Sequence, residues 1–165
     1  MDYTSHYNSP LGGITMASDG DALVGLWFDR RTNHATTLAS QYLNCDDIPV
    51  FADTRHWLDI YFGGQIPNFT PTLLMRANGF RRRVWEIMLT IPYGQTMTYG
   101  DIARIIAVER GMKKMSAQAV GGAVGHNSIP LIIPCHRVIG SNGSLTGYGG
   151  GLDIKRRLLQ MEKVL

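Results

Sequence analysis

The hydrophobic patterning of this chain changes abruptly near Met75, and that change restricts the folds open to it. Before it come short extended runs, Thr4 to Tyr7, Ile14 to Ala17 and Ala22 to Phe28, which predict strands. Asp19-Gly20-Asp21 supplies a tight turn between the last two, giving a hairpin. His34 to Asn44 and Phe51 to Phe62 read as helices, the second with Trp57, Ile60 and Tyr61 at helical spacing before Gly63-Gly64 ends it. Asn68 to Met75 reads as an extended linker. Beyond it, Phe80, Val84, Ile87, Met88 and Ile91 repeat at helical spacing until Pro92-Tyr93-Gly94. The expected architecture is an α/β N-terminal domain over 1–75, a small antiparallel sheet with helices, and a mostly α C-terminal domain over 76–165.

Charge divides at the same place. Residues 1–75 carry three basic against eight acidic side chains, a balance of −5, and residues 76–165 carry 13 against five, a balance of +8, which together make the chain's +3. A basic lobe beside an acidic one implies a polyanionic partner for the basic lobe, with nucleic acid the obvious candidate. Arg81-Arg82-Arg83 and Lys155-Arg156-Arg157 supply much of this charge; merely solvated faces are the alternative. The first ten residues have no basic start followed by an apolar stretch, and no apolar run approaches the roughly 18 residues of a membrane span. Cys45 and Cys135 are far apart and suggest neither a disulfide framework nor a zinc site. A cytoplasmic chain follows, nucleoid-associated in a bacterium or nuclear in a eukaryote.

Within the basic half, Thr98 with Asp101 three positions on predicts a capping box opening a helix whose Ile102, Ile105 and Ile106 face the core. Ser116 can cap the next, with Val120, Ala123 and Val124 as its inward stripe. Two helices joined by a turn predict a helix-turn-helix of winged-helix type. The outward positions of the second, Gln118, Gly121, Gly122 and Gly125, lack long side chains. Glycine costs up to about 1 kcal/mol per helical position, so something must approach that surface closely. A nucleic-acid groove and a neighbouring helix are equally good candidates.

Ile129 to Ile133 reads as a short buried strand delivering Pro134-Cys135-His136-Arg137 to a pocket, followed by a Gly-rich loop over 140–151 that contains Tyr148. A free thiol titrates near about 8.5, so Cys135 becomes a good nucleophile only with help from a base or a positive charge, which His136 and Arg137 can supply. The final helix, Leu152 to Lys163, carries Glu162, which can orient a histidine. His6, His34, His56 and Cys45 read as surface or structural residues.

Pro134-Cys135-His136-Arg137-Val138, preceded by Asn127 and an apolar run, resembles the active-site signature of the O6-alkylguanine-DNA alkyltransferases, also called methylated-DNA–protein-cysteine methyltransferases. The resemblance runs from Phe80 to the C-terminus through Tyr99, Ala119-Val120-Gly121-Gly122-Ala123, Tyr148 and Glu162. The first half is similar only loosely, through Ser9-Pro10-Leu11-Gly12 and the hairpin.

The resemblance implies double-stranded DNA containing alkylated bases as partner, entered from the minor groove, and a monomer with no obligate protein partner, no external cofactor and no metal. Ser116, Ala117, Gln118, Ala119 and Gly121 would contact DNA, and O6-alkylguanine, with O4-alkylthymine, would be rotated out of the duplex. Cys135 would take the alkyl group irreversibly, with His136 as base through a water and Glu162 orienting it. Tyr99 would assist rotation and donate to a purine ring nitrogen, and Asn127 would tie the recognition helix to the Cys135 turn. The carbonyls of Cys135 and Val138 would accept from the exocyclic amine, the Gly149 N–H would reach the oxygen, and Tyr148 and Arg137 would line the substrate site.

Gln118 departs from the family pattern, since relatives commonly carry an arginine that fills the space left by the flipped base. Two other functions stay open on the sequence. An alkyltransferase-like protein would bind lesions without transfer, although such proteins replace the thiol, and an unrelated Cys-His hydrolase would turn over an amide or ester.

Overall fold

The computed structural model describes residues 1–30 and 41–165. They form two compact units, Met1–Arg76 and Ala77–Leu165.

The first unit is built on strands β1 (Asp2–Ser9), β2 (Gly12–Ser18), β3 (Leu23–Phe28) and β4 (Tyr42–Asn44), in sheet order β3-β2-β1-β4. The hairpin lies where the sequence puts it, with β2 and β3 antiparallel in the register Met16↔Leu26. Its turn closes because the Asp19 carboxylate accepts hydrogen bonds from the N–H groups of Asp21 and Ala22, both at 2.9 Å. Every residue of β3 is buried, as its unbroken apolar run requires. One edge differs from a purely antiparallel sheet, because β4 runs parallel to β1. Of the expected helix over 34–44, Gln41 is a bend and residues 42–44 are that strand, while residues 34–40 lie outside the described residues. Helix α1 (Pro49–Phe62) packs on β1, β2 and β3 through Val50, Phe51, Trp57, Leu58 and Tyr61, while Ile60 is only half-buried. Arg76 closes the unit by a bidentate pair with the buried Asp2 carboxylate, at 2.5 and 2.7 Å.

The second unit comprises α2 (Gly79–Met88), β5 (Met97–Thr98), α3 (Tyr99–Glu109), α4 (Ala117–Gly125), a 3-10 turn (Cys135–Arg137), β6 (Val138–Ile139) and α5 (Leu152–Met161). The capping box is present: Thr98 Oγ1 accepts from the Asp101 N–H at 3.0 Å, and the Asp101 carboxylate accepts from the Thr98 N–H at 2.9 Å. Ser116 caps α4 by accepting from the Ala119 N–H. On α3 the buried face is Ile102, Ala103, Ile106 and Ala107, and Ile105 turns outward. Helix α4 packs on both α2 and α3, and the buried Trp85 indole donates to the Ala123 carbonyl at 2.9 Å to fix it there. Strands β5 and β6 pair in parallel, which brings the start of α3 beside the end of the Cys135 turn. Among the described residues, no helix is long and apolar enough to cross a membrane.

The expected strand over 129–133 is instead a series of buried turns. Leu131 adopts φ 74°, and the Ile133 N–H returns to the Ile129 carbonyl at 3.0 Å. The apolar residues are buried as a strand's would be, but the main-chain groups are satisfied locally.

Candidate active site

The turn that presents Cys135 is braced from behind. Asn127, almost wholly buried, donates through Nδ2 to the Ile133 carbonyl at 2.7 Å and accepts through Oδ1 from the Ile129 N–H at 3.0 Å. It thereby spans the buried turns and links the end of α4 to the residues before Cys135. The Cys135 N–H bonds to the Ile133 carbonyl and the Arg137 N–H to the Pro134 carbonyl, completing the turn. Cys135 itself is 7% exposed.

His136 and Glu162 meet although far apart in sequence. His136 Nε2 lies 2.6 Å from Glu162 Oε2, and neither side chain is exposed. Glu162 caps the C-terminus of α5, one residue past the helix, where its carboxylate can turn back toward the Cys135 turn. Its other oxygen accepts from Arg137 Nε at 2.8 Å and from the Gly94 N–H at 3.0 Å. Arg137 also donates to Glu162 Oε2 at 3.2 Å and to the Ile91 carbonyl at 2.8 Å. Its guanidinium lies 5.7 Å from the centre of the Tyr93 ring.

These contacts set the charges. Burial pushes the His136 imidazole down, Glu162 pulls it up, and Arg137 and Lys155 push it down again, leaving it below its ordinary value. Burial opposes ionisation of Glu162, but hydrogen bonds and charge from His136 and Arg137 outweigh it and hold the carboxyl well below the usual range. The two partners cannot both lean on a protonated His136. Because Arg137 is always charged and bonds both carboxylate oxygens, it keeps Glu162 ionised while the imidazole stays neutral.

Arg137, expected among the groups that meet substrate, is therefore turned inward as the counterion of Glu162. Lys155, expected at the surface with Arg156 and Arg157, is wholly buried, while its two neighbours are exposed. The sequence does carry a signal for this, since Lys155 shares its helix face with Leu158, Leu159 and Glu162. Ile91, read as the last apolar position of a helix that in fact ends at Met88, and Tyr93 and Gly94, read as that helix's stop, form part of the site, and for these no sequence pattern would have sufficed.

The remaining candidates rim the site. Tyr99, the first residue of α3, donates its hydroxyl to the Thr146 carbonyl at 3.0 Å. Tyr148 is half-buried and Gly149 exposed in the loop over 140–151. The Val138 carbonyl accepts from Lys155 Nζ at 2.7 Å, and a carbonyl oxygen has a second lone pair for another donor. On α4, Ser116, Ala117, Gln118 and Ala119 are exposed and Gly121 is half-exposed beside the Tyr99 ring. A Cβ at Gly122 or Gly125 would meet no atom within 4 Å. Packing against another helix is thus not what keeps these positions small.

A cysteine at the tip of a buried histidine, carboxylate and arginine network, mounted beside a smooth helix of a helix-turn-helix, defines a nucleic-acid-directed group-transfer protein. Comparison with known proteins agrees. Residues 79–164 match the family described as 6-O-methylguanine DNA methyltransferase, DNA binding domain, and residues 3–74 match the same family's ribonuclease-like domain. The methylated-DNA–protein-cysteine methyltransferase of Mycobacterium tuberculosis strain H37Rv is 43% identical over 161 residues, covering 96% of this chain and 92% of the relative. That of Haemophilus influenzae is 36% identical over 163 residues, covering 98% and 87%. The crystal structure of Mycobacterium tuberculosis OGT in complex with DNA superposes with a TM-score of 0.84 at 40% identity, over 98% of this chain and 92% of that one. The chain belongs to the methylated-DNA–protein-cysteine methyltransferases, DNA-repair proteins that move an alkyl group from DNA to protein.

Proposed function

We propose that this protein rotates O6-alkylguanine, and O4-alkylthymine, out of duplex DNA and transfers the alkyl group irreversibly to its own Cys135. The observation that carries the residue assignment is the adjacency of Cys135 to a neutral, buried His136 hydrogen-bonded at 2.6 Å to an ionised Glu162. A base must hold its proton-accepting form at working pH, and this environment favours it.

An alkylated guanine stacked in a duplex cannot reach a buried thiol, so the nucleotide must leave the stack. Helix α4 would enter the minor groove, where the open space over Gly122 and Gly125 lets backbone approach backbone. Lys113, Lys114, Arg156 and Arg157 are exposed and, among the described residues, engage in no ion pair, which suits phosphate contact. Gln118 would occupy the gap left by the base. Tyr99 would exchange its bond to Thr146 for one to a purine ring nitrogen, lowering the charge on the departing guanine.

In the transfer itself, His136 takes the thiol proton through a water, using the ring nitrogen that does not face Glu162. The Cys135 sulfur forms a bond to the alkyl carbon as the carbon–oxygen bond breaks, and the electron pair leaves with the guanine, which is then protonated. The thioether has no leaving path, so each molecule acts once. A lesion-binding protein without transfer has no use for a thiol built into this network, and a hydrolase would regenerate it.

Duplex DNA containing O6-methylguanine should add one methyl group per protein molecule, located on Cys135 by peptide mass spectrometry. Turnover beyond one equivalent, or a methyl group on any other residue, overturns the assignment.

A further inference from the structure

Lys155 is the most unusual charged residue in the second unit. It lies on α5 with no exposed surface. Its ammonium donates to the carbonyls of Val138 at 2.7 Å, Thr146 at 3.0 Å and Gly147 at 3.4 Å. Three donors meet three acceptors, but all three are neutral, and no carboxylate lies among them. Burying an ammonium ion without a counter-charge costs several kcal/mol, so a lysine here needs a reason that packing does not provide.

The acceptors indicate the reason. Val138 follows the Cys135 turn, and its N–H bonds back to the Cys135 carbonyl. Thr146 and Gly147 belong to the loop over 140–151, and the Thr146 carbonyl also receives the Tyr99 hydroxyl. One side chain thus ties the nucleophile's turn to the loop that borders it. Burial pushes the Lys155 ammonium toward its neutral form, and the charge of Cys135 is what opposes that. Among the described residues, the buried charged groups on the thiol's own turn are His136 and Arg137, and those on α5 and its cap, which pack against that turn, are Lys155 and Glu162. Glu162 and Arg137 neutralise each other and His136 is held neutral. Of these four buried groups, Lys155 is then the cation with charge to offer the sulfur.

We propose that Lys155 is a positioning residue for alkyl transfer, whose buried ammonium clamps the loop over 140–151 against the Cys135 turn and favours the thiolate form of Cys135. This rests on Cys135 being the nucleophile, as proposed above.

The test compares the full-length protein with Lys155→Met, Lys155→Gln and Lys155→Arg. Alkylation of the Cys135 peptide by iodoacetamide is followed against pH without DNA, and methyl transfer from O6-methylguanine duplex is followed separately. Lys155→Met should raise the midpoint of the thiol profile by at least about one pH unit, making alkylation about tenfold slower below it. Lys155→Gln keeps a donor for the carbonyls but no charge, so it should shift the profile in the same direction, and Lys155→Arg should restore most of it. A clamp with no electrostatic role predicts a shift for methionine and none for glutamine. A wild-type profile for the glutamine variant overturns the proposal, and that variant decides the matter if the methionine variant does not fold. Failure of wild-type methyl transfer alongside a shifted thiol profile would refute the assigned function and leave Lys155's effect on the thiol standing.

Discussion

Replacing Arg137 by methionine removes the cation from a carboxylate that has no exposure. The wild-type guanidinium donates to both oxygens of Glu162, at 2.8 and 3.2 Å, and to the Ile91 carbonyl at 2.8 Å. Methionine fills much of the volume but supplies no donor, so Glu162 loses its guanidinium partner while His136 and the Gly94 N–H remain. Removing one partner of such a buried pair costs about 3–5 kcal/mol, because the remaining charge is left in a medium that solvates it poorly. Urea unfolding should show this as a lower midpoint. A second effect separates this account from simple loss of packing. Without Arg137, the charge of Glu162 acts more strongly on His136 and the repulsion from the guanidinium is gone, so the imidazole must titrate at higher pH than in the wild type. NMR titration of the His136 ring reads it directly. Arg137→Met with Glu162→Gln should recover part of the lost stability, since the second change removes the stranded charge. A loss below about 1 kcal/mol, with an unchanged His136 titration, would refute the reasoning.

Three further outcomes follow from the same geometry. His136 titrates below its usual 6.5 in the fold, so the unfolded chain binds the extra proton, and stability should fall as pH drops below about 6.5; Glu162, also depressed, should extend the loss below about 4.5, as unfolding at stepped pH would record. Gly122→Ala has open space for its Cβ and should stabilise α4 by up to about 1 kcal/mol while weakening duplex DNA binding, and equal or tighter binding in a fluorescence titration would contradict groove entry by α4. Gln118→Arg should tighten DNA binding or speed repair, with a salt dependence steeper by about one unit of slope, and unchanged affinity, rate and slope would show that the position carries little of the interaction.

What could be read from the chain alone was local in origin. Thr98 and Asp101 make their capping box, and Ser116 its cap, because each pair lies within one helical turn. Val120, Ala123 and Val124 are buried because a 3.6-residue period puts them on one face of α4. The neighbouring Cys135 and His136 marked the candidate site because adjacency is itself sequence information. Asp19 closes the hairpin by bonds to residues two and three positions on. Patterning erred where burial and conformation part company, as at Ile129 to Ile133, where an apolar run is satisfied by turns rather than a strand.

Tertiary structure decided which charges are buried and what they face. Glu162 lies 26 positions from His136, and Arg137 lies 46 from Ile91, so no local period could connect them. Arg137 and Lys155 are written in the same letters as the exposed arginines and lysines elsewhere in the second unit, yet one became the counterion of a carboxylate and the other the hub of three carbonyls. The physical reason is solvation. A guanidinium or ammonium group can leave water only where the fold brings enough acceptors to replace it, and that supply exists only once α5, the Cys135 turn and the segment following α2 have packed together. The chain carries the proposed nucleophile in its sequence, and the electrostatic environment of that thiol exists only in the fold.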